Sequence, residues 1–118
     1  MPVPSREEVR AKTVGAEGRT ACCSLYHRAV ELVGKRWTGA ILSVLLDGPL
    51  RFSEIKTLVP DLSDRLLSER LKELESEAIV ERRVTGGMSV RVEYALTDKG
   101  RALEPAVCAL QDWAQHWL

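Results

Sequence analysis

Residues 81–94 read ERRVTGGMSVRVEY. Gly86-Gly87 separates two arms in which β-branched residues alternate with charged ones, the pattern of a two-stranded ribbon with a permissive tip. Pushing such a ribbon outward gives a small chain little core. Arg82, Arg83 and Arg91 on its arms add self-repulsion. A finger of this kind implies an anionic surface outside the protein, and the segments before it say which fold carries it.

From Ser24 the pattern is helical, with Leu25, Ala29, Leu32 and Val33 on one stripe and Gly34 as punctuation. A second helix is predicted over residues 36–46, with Trp37, Ala40, Ile41, Val44 and Leu45 inward. Gly48-Pro49 stops it, glycine as the left-handed cap and proline as a residue that cannot continue. Both helices are expected in the core. Residues 50–52 suffice for one short strand, and Ser53 is expected to cap a short helix ending near Leu58, with Ile55 and Leu58 presented. Pro60-Asp61 breaks that helix, and Ser63-Asp64 opens a longer one over 64–77. Two helices joined by a tight turn, the second longer, form a helix-turn-helix arrangement. At about 100° per residue, the longer helix gathers its apolar positions on one side. These are Leu67, Leu71, Leu74 and Ala78; Arg65, Ser68, Glu69, Lys72 and Ser76 fall opposite, with Leu66 on the flank.

Strands over 79–84 and 90–96 complete the unit. Helix, turn, helix, then basic hairpin is the winged helix-turn-helix order, a mainly α fold with a small β-hairpin (α+β). In that architecture one helix enters the major groove of double-stranded DNA while the hairpin lies along neighbouring backbone. Arg65, Ser68, Glu69 and Lys72 would then face base edges or flanking phosphates. Arg83 and Arg91 would meet phosphate from the wing, and Ser53 would offer a backbone N–H at a helix start.

A final helix is predicted from Thr97 as N-cap, with Pro105 either kinking it or beginning it afresh. Leu103, Val107, Leu110, Ala114 and Trp117 recur at heptad-like spacing, and Ala106 and Trp113 widen the seam. Aromatic anchors of this sort are typical of interfaces, so a twofold partner is expected. A dimer would place two reading helices on successive turns of DNA.

Charge argues against an easy reading. The 17 basic side chains are matched by 17 acidic ones, whereas most nucleic-acid-binding domains are clearly basic. Affinity depends on the cations that face the phosphates, so a DNA surface here must arise from segregation of charge. Neutrality supports a competing reading, a winged-helix module for protein contacts alone. Catalysis has no Ser-His-Asp set, phosphate-cradling glycine loop or paired carboxylates to rest on.

Cys22, Cys23 and Cys108 are too few and too sparse for a disulfide framework, and a reducing cytoplasm is the expected home. With His27 and His116 they show no metal-ligand spacing, so neither metal nor cofactor is expected. No apolar run approaches the ~18 residues of a membrane span, and the N-terminus lacks the apolar stretch of a signal peptide. Residues 1–21 read as a mobile arm with a helical turn near 6–12, and residues 22–118 as the DNA-binding and dimerisation domain.

Three stretches, CSLYHRAVELVGKRWTGAILSVLLDGPLRFSEI, LSDRLLSERLKELESEAIVERRV and RVEYALTDKGRAL, strongly resemble the HxlR-type winged-helix transcriptional regulators of bacteria. The similarity runs over residues 22–117. It implies a homodimer joined by the N- and C-terminal helices, which adds Leu25 to the seam named above. It also implies operator binding, more as repressor than activator, by the helix at 63–76 and the hairpin at 81–94. Ser63, Arg65, Leu67, Arg70, Leu71, Glu73 and Leu74 occupy typical family positions. Asp64 stands where many members have proline, and Ser89-Val90 where a proline-rich pair precedes the arginine equivalent to Arg91.

Several members resemble thiol sensors with a reactive cysteine just before the first core helix, close to the place of Cys22 and Cys23. A helix start with His27 and Arg28 one turn on favours a thiolate at Cys23; the bland alternative is an idle thiol. A small-molecule effector would have an aromatic-lined gap near Trp37, Trp113 and Trp117 as its candidate seat.

Overall fold

A computed structural model describes residues 21–118, which divide into a unit ending at Lys35 and a unit spanning Arg36–Leu118. The expected arm, but for Ala21, and its helical turn lie outside the described residues.

In the first unit, helix α1 (Ser24–Val33) starts from Cys23, whose backbone is extended at the N-cap, and ends at Gly34. It was expected in the core, yet it contributes no buried residue, and Leu25, Tyr26 and Val30 are exposed. Its apolar stripe is exposed at Leu25 and Ala29 and half-buried at Leu32 and Val33.

In the second unit, helix α2 runs Thr38–Leu45, shorter than the predicted 36–46. Trp37 sits at φ +75°, a left-handed conformation that cannot lie inside a right-handed helix, so the helix begins one residue later. The Arg36 guanidinium lies 5.4 Å from the centre of the Trp37 ring. Thr38, Ile41, Leu42 and Leu45 form the buried face, while Trp37, Ala40 and Val44, expected inward, are half-buried. Gly48 has φ +140° and its N–H donates to the Leu45 carbonyl, but the C-cap itself is Leu46.

The expected strand at 50–52 reduces to one bridge: Leu50 and Tyr94 exchange N–H···O=C bonds of 2.9 and 2.7 Å. Phe52 already belongs to helix α3 (Phe52–Leu58), so Arg51, not Ser53, is its N-cap. The Glu54 carboxylate accepts from the Arg51 N–H at 2.8 Å, half of a capping box, which fixes the start two residues earlier than the serine suggested. Ile55 is buried and Leu58, expected inward beside it, is exposed; Val59 and Leu62 in the turn take its place in the core.

Helix α4 (Asp64–Ser76) is capped as predicted: Ser63 Oγ accepts from the Leu66 N–H at 3.2 Å. Leu67, Leu71 and Leu74 are buried. Ala78, placed by periodicity on the same face, lies beyond the helix, exposed, at φ +58°. Its N–H donates to the Glu75 carbonyl and that of Ile79 to the Leu74 carbonyl, with Leu74 and Ile79 both buried. This is a Schellman closure with alanine where glycine is favoured. Ala78→Gly is therefore expected to stabilise the fold by about 1 kcal/mol, read as a raised thermal midpoint. A lowered midpoint would mean that the left-handed alanine is not strained.

Strands β1 (Val80–Thr85) and β2 (Arg91–Leu96) each begin one residue later than predicted and pair antiparallel, Val80 opposite Leu96 and Thr85 opposite Arg91. Val90, expected half-buried in the second strand, is exposed outside it. Thr97 does cap a helix, but only the single turn α5 (Asp98–Arg101), its Oγ accepting from the Gly100 N–H at 3.1 Å. Its hydroxyl also lies 2.5 Å from the Ala78 carbonyl, which joins this turn to the end of α4. Pro105, in the first turn of α6 (Glu104–Trp117), begins that helix afresh.

Candidate nucleic-acid interface

The turn between α3 and α4 is held from below by Val59 and Leu62 and from the side by Lys56. The Lys56 ammonium donates to the Leu62 carbonyl and stands 3.3 Å from an Asp64 carboxylate oxygen. Asp64, an acid at the tip of the helix that would approach DNA, thus has its charge met within the protein. Periodicity gave no sign of this pairing, which joins residues on two different helices.

Along α4 the polar face stands opposite the buried leucines. Arg65, in the first turn, has a side chain 90% exposed, and its Nε lies 3.5 Å from Glu69 one turn on. Glu69 and Lys72 are exposed and Ser68 is half-buried. Lys72 has no ion-pair partner among the described residues. Arg70, a family position, points elsewhere. Its side chain is only 16% exposed, its Nε donates to the Arg36 carbonyl at 2.9 Å, and its Nη1 lies 2.8 Å from Glu73. Arg70 fastens α4 to the segment before α2, which fixes the angle at which the polar face is presented. Ser53, within the first turn of α3, and Ser63, at the α4 cap, are both exposed.

The hairpin register sorts its charges. Glu81, Arg83 and Thr85 lie opposite Ala95, Glu93 and Arg91 and share one face, because successive side chains of a strand alternate. Arg83 Nη2 lies 2.8 Å from Glu81, and Arg91 Nη1 3.9 Å from Glu93. Arg83 and Arg91 therefore share one face of the hairpin, yet each is matched by a glutamate two places along its own strand. Arg82 occupies the other face, opposite Tyr94, with no ion-pair partner among the described residues. Sequence reasoning named Arg82 as a wing cation but gave it no role; strand alternation alone would have separated it from Arg83.

On α6, Leu110, Trp113 and Trp117 are 68%, 54% and 68% exposed, and Val107, Ala114 and the N-cap Leu103 are half-buried. The seam drawn from spacing is thus an apolar face largely open to solvent. Cys22 is exposed, Cys23 half-buried at the α1 N-cap, and Cys108 exposed on α6; all three thiols are free. His27 Nε2 lies 3.6 Å from Glu31, so that imidazole is engaged away from the cysteines.

A family model described as HxlR-like helix-turn-helix matches residues 32–118. The chain is 49% identical over 96 residues to YvaP of Bacillus subtilis, an uncharacterized HTH-type transcriptional regulator, covering 81% of this chain and 89% of the relative. Among solved structures it is similar to the reduced form of the B. subtilis transcriptional regulator YodB, at 46% identity and a TM-score of 0.74, over 82% of this chain and 95% of that one. The quinone-bound form of YodB gives 46% identity and a TM-score of 0.70, over 81% and 100%.

Proposed function

From the chain's membership of the HxlR-like helix-turn-helix family, and so among HTH-type transcriptional regulators, we propose that it is a cytoplasmic, dimeric repressor whose α4 reads operator DNA. One observation carries this reading. Helix α4 buries Leu67, Leu71 and Leu74 and turns Arg65, Glu69 and Lys72 outward from a rigidly capped start. Residues near the N-terminus of such a helix meet base edges, where arginine pairs with guanine and an acid accepts from cytosine. Arg83 and Arg91 take phosphates from the wing, and Ser53, in the first turn of α3, and Ser63, at the α4 cap, add backbone N–H donors. Titration of the purified protein against duplex DNA from upstream of its own gene tests this. Saturable binding that weakens steeply with salt is expected. No affinity for any duplex at low salt would instead leave a module for protein contacts.

The exposed α6 face is a surface that a second copy would cover, and the exposed Leu25 on α1 is a separate apolar position available to the same partner. Tryptophans set among leucines supply the anchors of such a contact. Twofold pairing would bring two α4 helices to one side of a duplex.

That YodB has been solved both reduced and quinone-bound supports a thiol input at the free Cys22 and Cys23. An oxidant or quinone-like electrophile would act on a thiol at the start of α1 and shift the spacing of the paired α4 helices. With oxidant, wild-type protein is expected to lose roughly 10-fold in DNA affinity, a typical coupling between two sites. Cys22→Ser/Cys23→Ser protein is expected to keep its affinity. Equal loss in both would remove these cysteines from the switch.

A further inference from the structure

The wing presents a geometry that its arginine content alone would not suggest. On the face shared by Glu81, Arg83, Arg91 and Glu93 the formal charges cancel. Arg83 donates through both Nε (2.9 Å) and Nη2 (2.8 Å) to one oxygen of Glu81. Arg91 leans toward Glu93 at 3.9 Å, and Glu93 also stands directly opposite Arg83 in the register. In each strand the glutamate is the member nearer the base of the hairpin. The Arg83 guanidinium is therefore drawn back from the tip and already holds an anion, and that of Arg91 is drawn the same way by a looser ion pair.

We propose that Glu81 and Glu93 are specificity-determining residues that keep the wing from gripping DNA until α4 has docked. The inference rests on the DNA-binding reading above. A phosphate meeting the wing from free solution competes with a carboxylate of the same charge that is fixed in place. In a non-specific encounter that exchange brings little gain, so the pairs persist and cations with no ion-pair partner among the described residues, such as Lys72 and Arg82, carry the contact. Once α4 sits in the major groove, the neighbouring phosphates are held beside the wing at high effective concentration, and the exchange proceeds. A neutral wing thus removes two cations from sequence-independent binding, which is almost wholly electrostatic, while leaving them available to the specific complex. The pair Arg65–Glu69 on α4 is similar, but Glu69 itself faces the groove, so only the wing pairs isolate the effect.

The test uses the full chain and two probes, a duplex selected from a random pool by the wild-type protein and a shuffled duplex of equal length. In Glu81→Gln/Glu93→Gln protein, affinity for the shuffled duplex is expected to rise roughly 3- to 10-fold. Its log–log salt slope should steepen by about 1.8, some 0.9 per arginine freed, while the slope on the selected duplex stays as in wild type. Glu81→Gln alone, at the more exposed position, should give about half that change in slope and guards against misfolding of the double variant. An unchanged slope on shuffled DNA, with wild-type binding to the selected duplex intact, overturns the inference and leaves the DNA reading standing. Absence of wild-type binding to either duplex overturns both.

Discussion

Gly100→Ala is expected to destabilise the protein by about 3–5 kcal/mol, a large part of the 5–15 kcal/mol available to a domain. The reason is local and geometric. A Cβ built on Gly100 would lie 2.1 Å from the Ile79 carbonyl oxygen and 3.1 Å from the Ile79 side chain. That oxygen is backbone, already accepting from the Thr97 N–H at 3.0 Å, and it has no flexible end to swing aside. Relief requires α5 to lift away from the start of β1. Lifting it strains the Thr97 hydroxyl contact to the Ala78 carbonyl and the Lys99 contact to the Glu77 carbonyl at 2.6 Å. Losing these exposed hydrogen bonds adds about 0.5–1.5 kcal/mol each to the steric term. The thermal midpoint should fall by roughly 10–20 °C. A fall within about 2 °C would show that the turn adjusts freely and that the close approach is unimportant. By contrast, Gly39, Gly86 and Gly87 meet nothing within 4 Å of an added Cβ, so packing does not require glycine there.

Arg65→Ala should leave the fold intact and weaken binding to the selected DNA. Among the described residues the side chain's ion-pair partner is Glu69, one turn away on the same helix, an exposed pair of small worth. Alanine is the better helix former, so stability should change by less than about 0.5 kcal/mol. If Arg65 makes a bidentate contact to a base, its loss costs about 1–3 kcal/mol, roughly 5- to 150-fold, on the selected duplex. Binding to shuffled DNA should change far less, because base contacts contribute little there. Arg91→Ala provides the contrast: it should lower the salt slope on the selected duplex by about 0.9, the signature of one lost phosphate. Arg65→Ala protein that discriminated between the two duplexes as wild type does would take the first turn of α4 out of base readout.

Regular elements were the legible part of the chain. The leucines of α4 recur at helical spacing and Ser63 caps it as read, because both depend on residues adjacent in sequence. The hairpin was legible for the same reason, its alternation and its glycine tip being local. Misreadings arose where distant backbone decides. Nothing local announces that Trp37 takes a left-handed backbone, or that Leu50 bridges Tyr94 through one residue rather than three. Glu54 reaching back to Arg51 outweighed the capping preference of Ser53, a contest between two local signals that propensity alone does not settle. The role of Gly100 was hidden in a motif read as family resemblance, since only the approach of Ile79 gives it meaning. In the candidate site, positions were legible and electrostatics were not. Periodicity put Arg65, Arg83 and Arg91 on outward faces, while their pairing with Glu69, Glu81 and Glu93 depends on side-chain reach.

Paired α4 helices gripping one duplex can be tested by hydroxyl-radical footprinting of the full-length protein on its selected DNA. Two protected patches are expected on one side of the duplex, centred about 10 base pairs apart, and both should fade together in Arg65→Ala protein. A single patch, or protection that Arg65→Ala leaves unaltered, would contradict it.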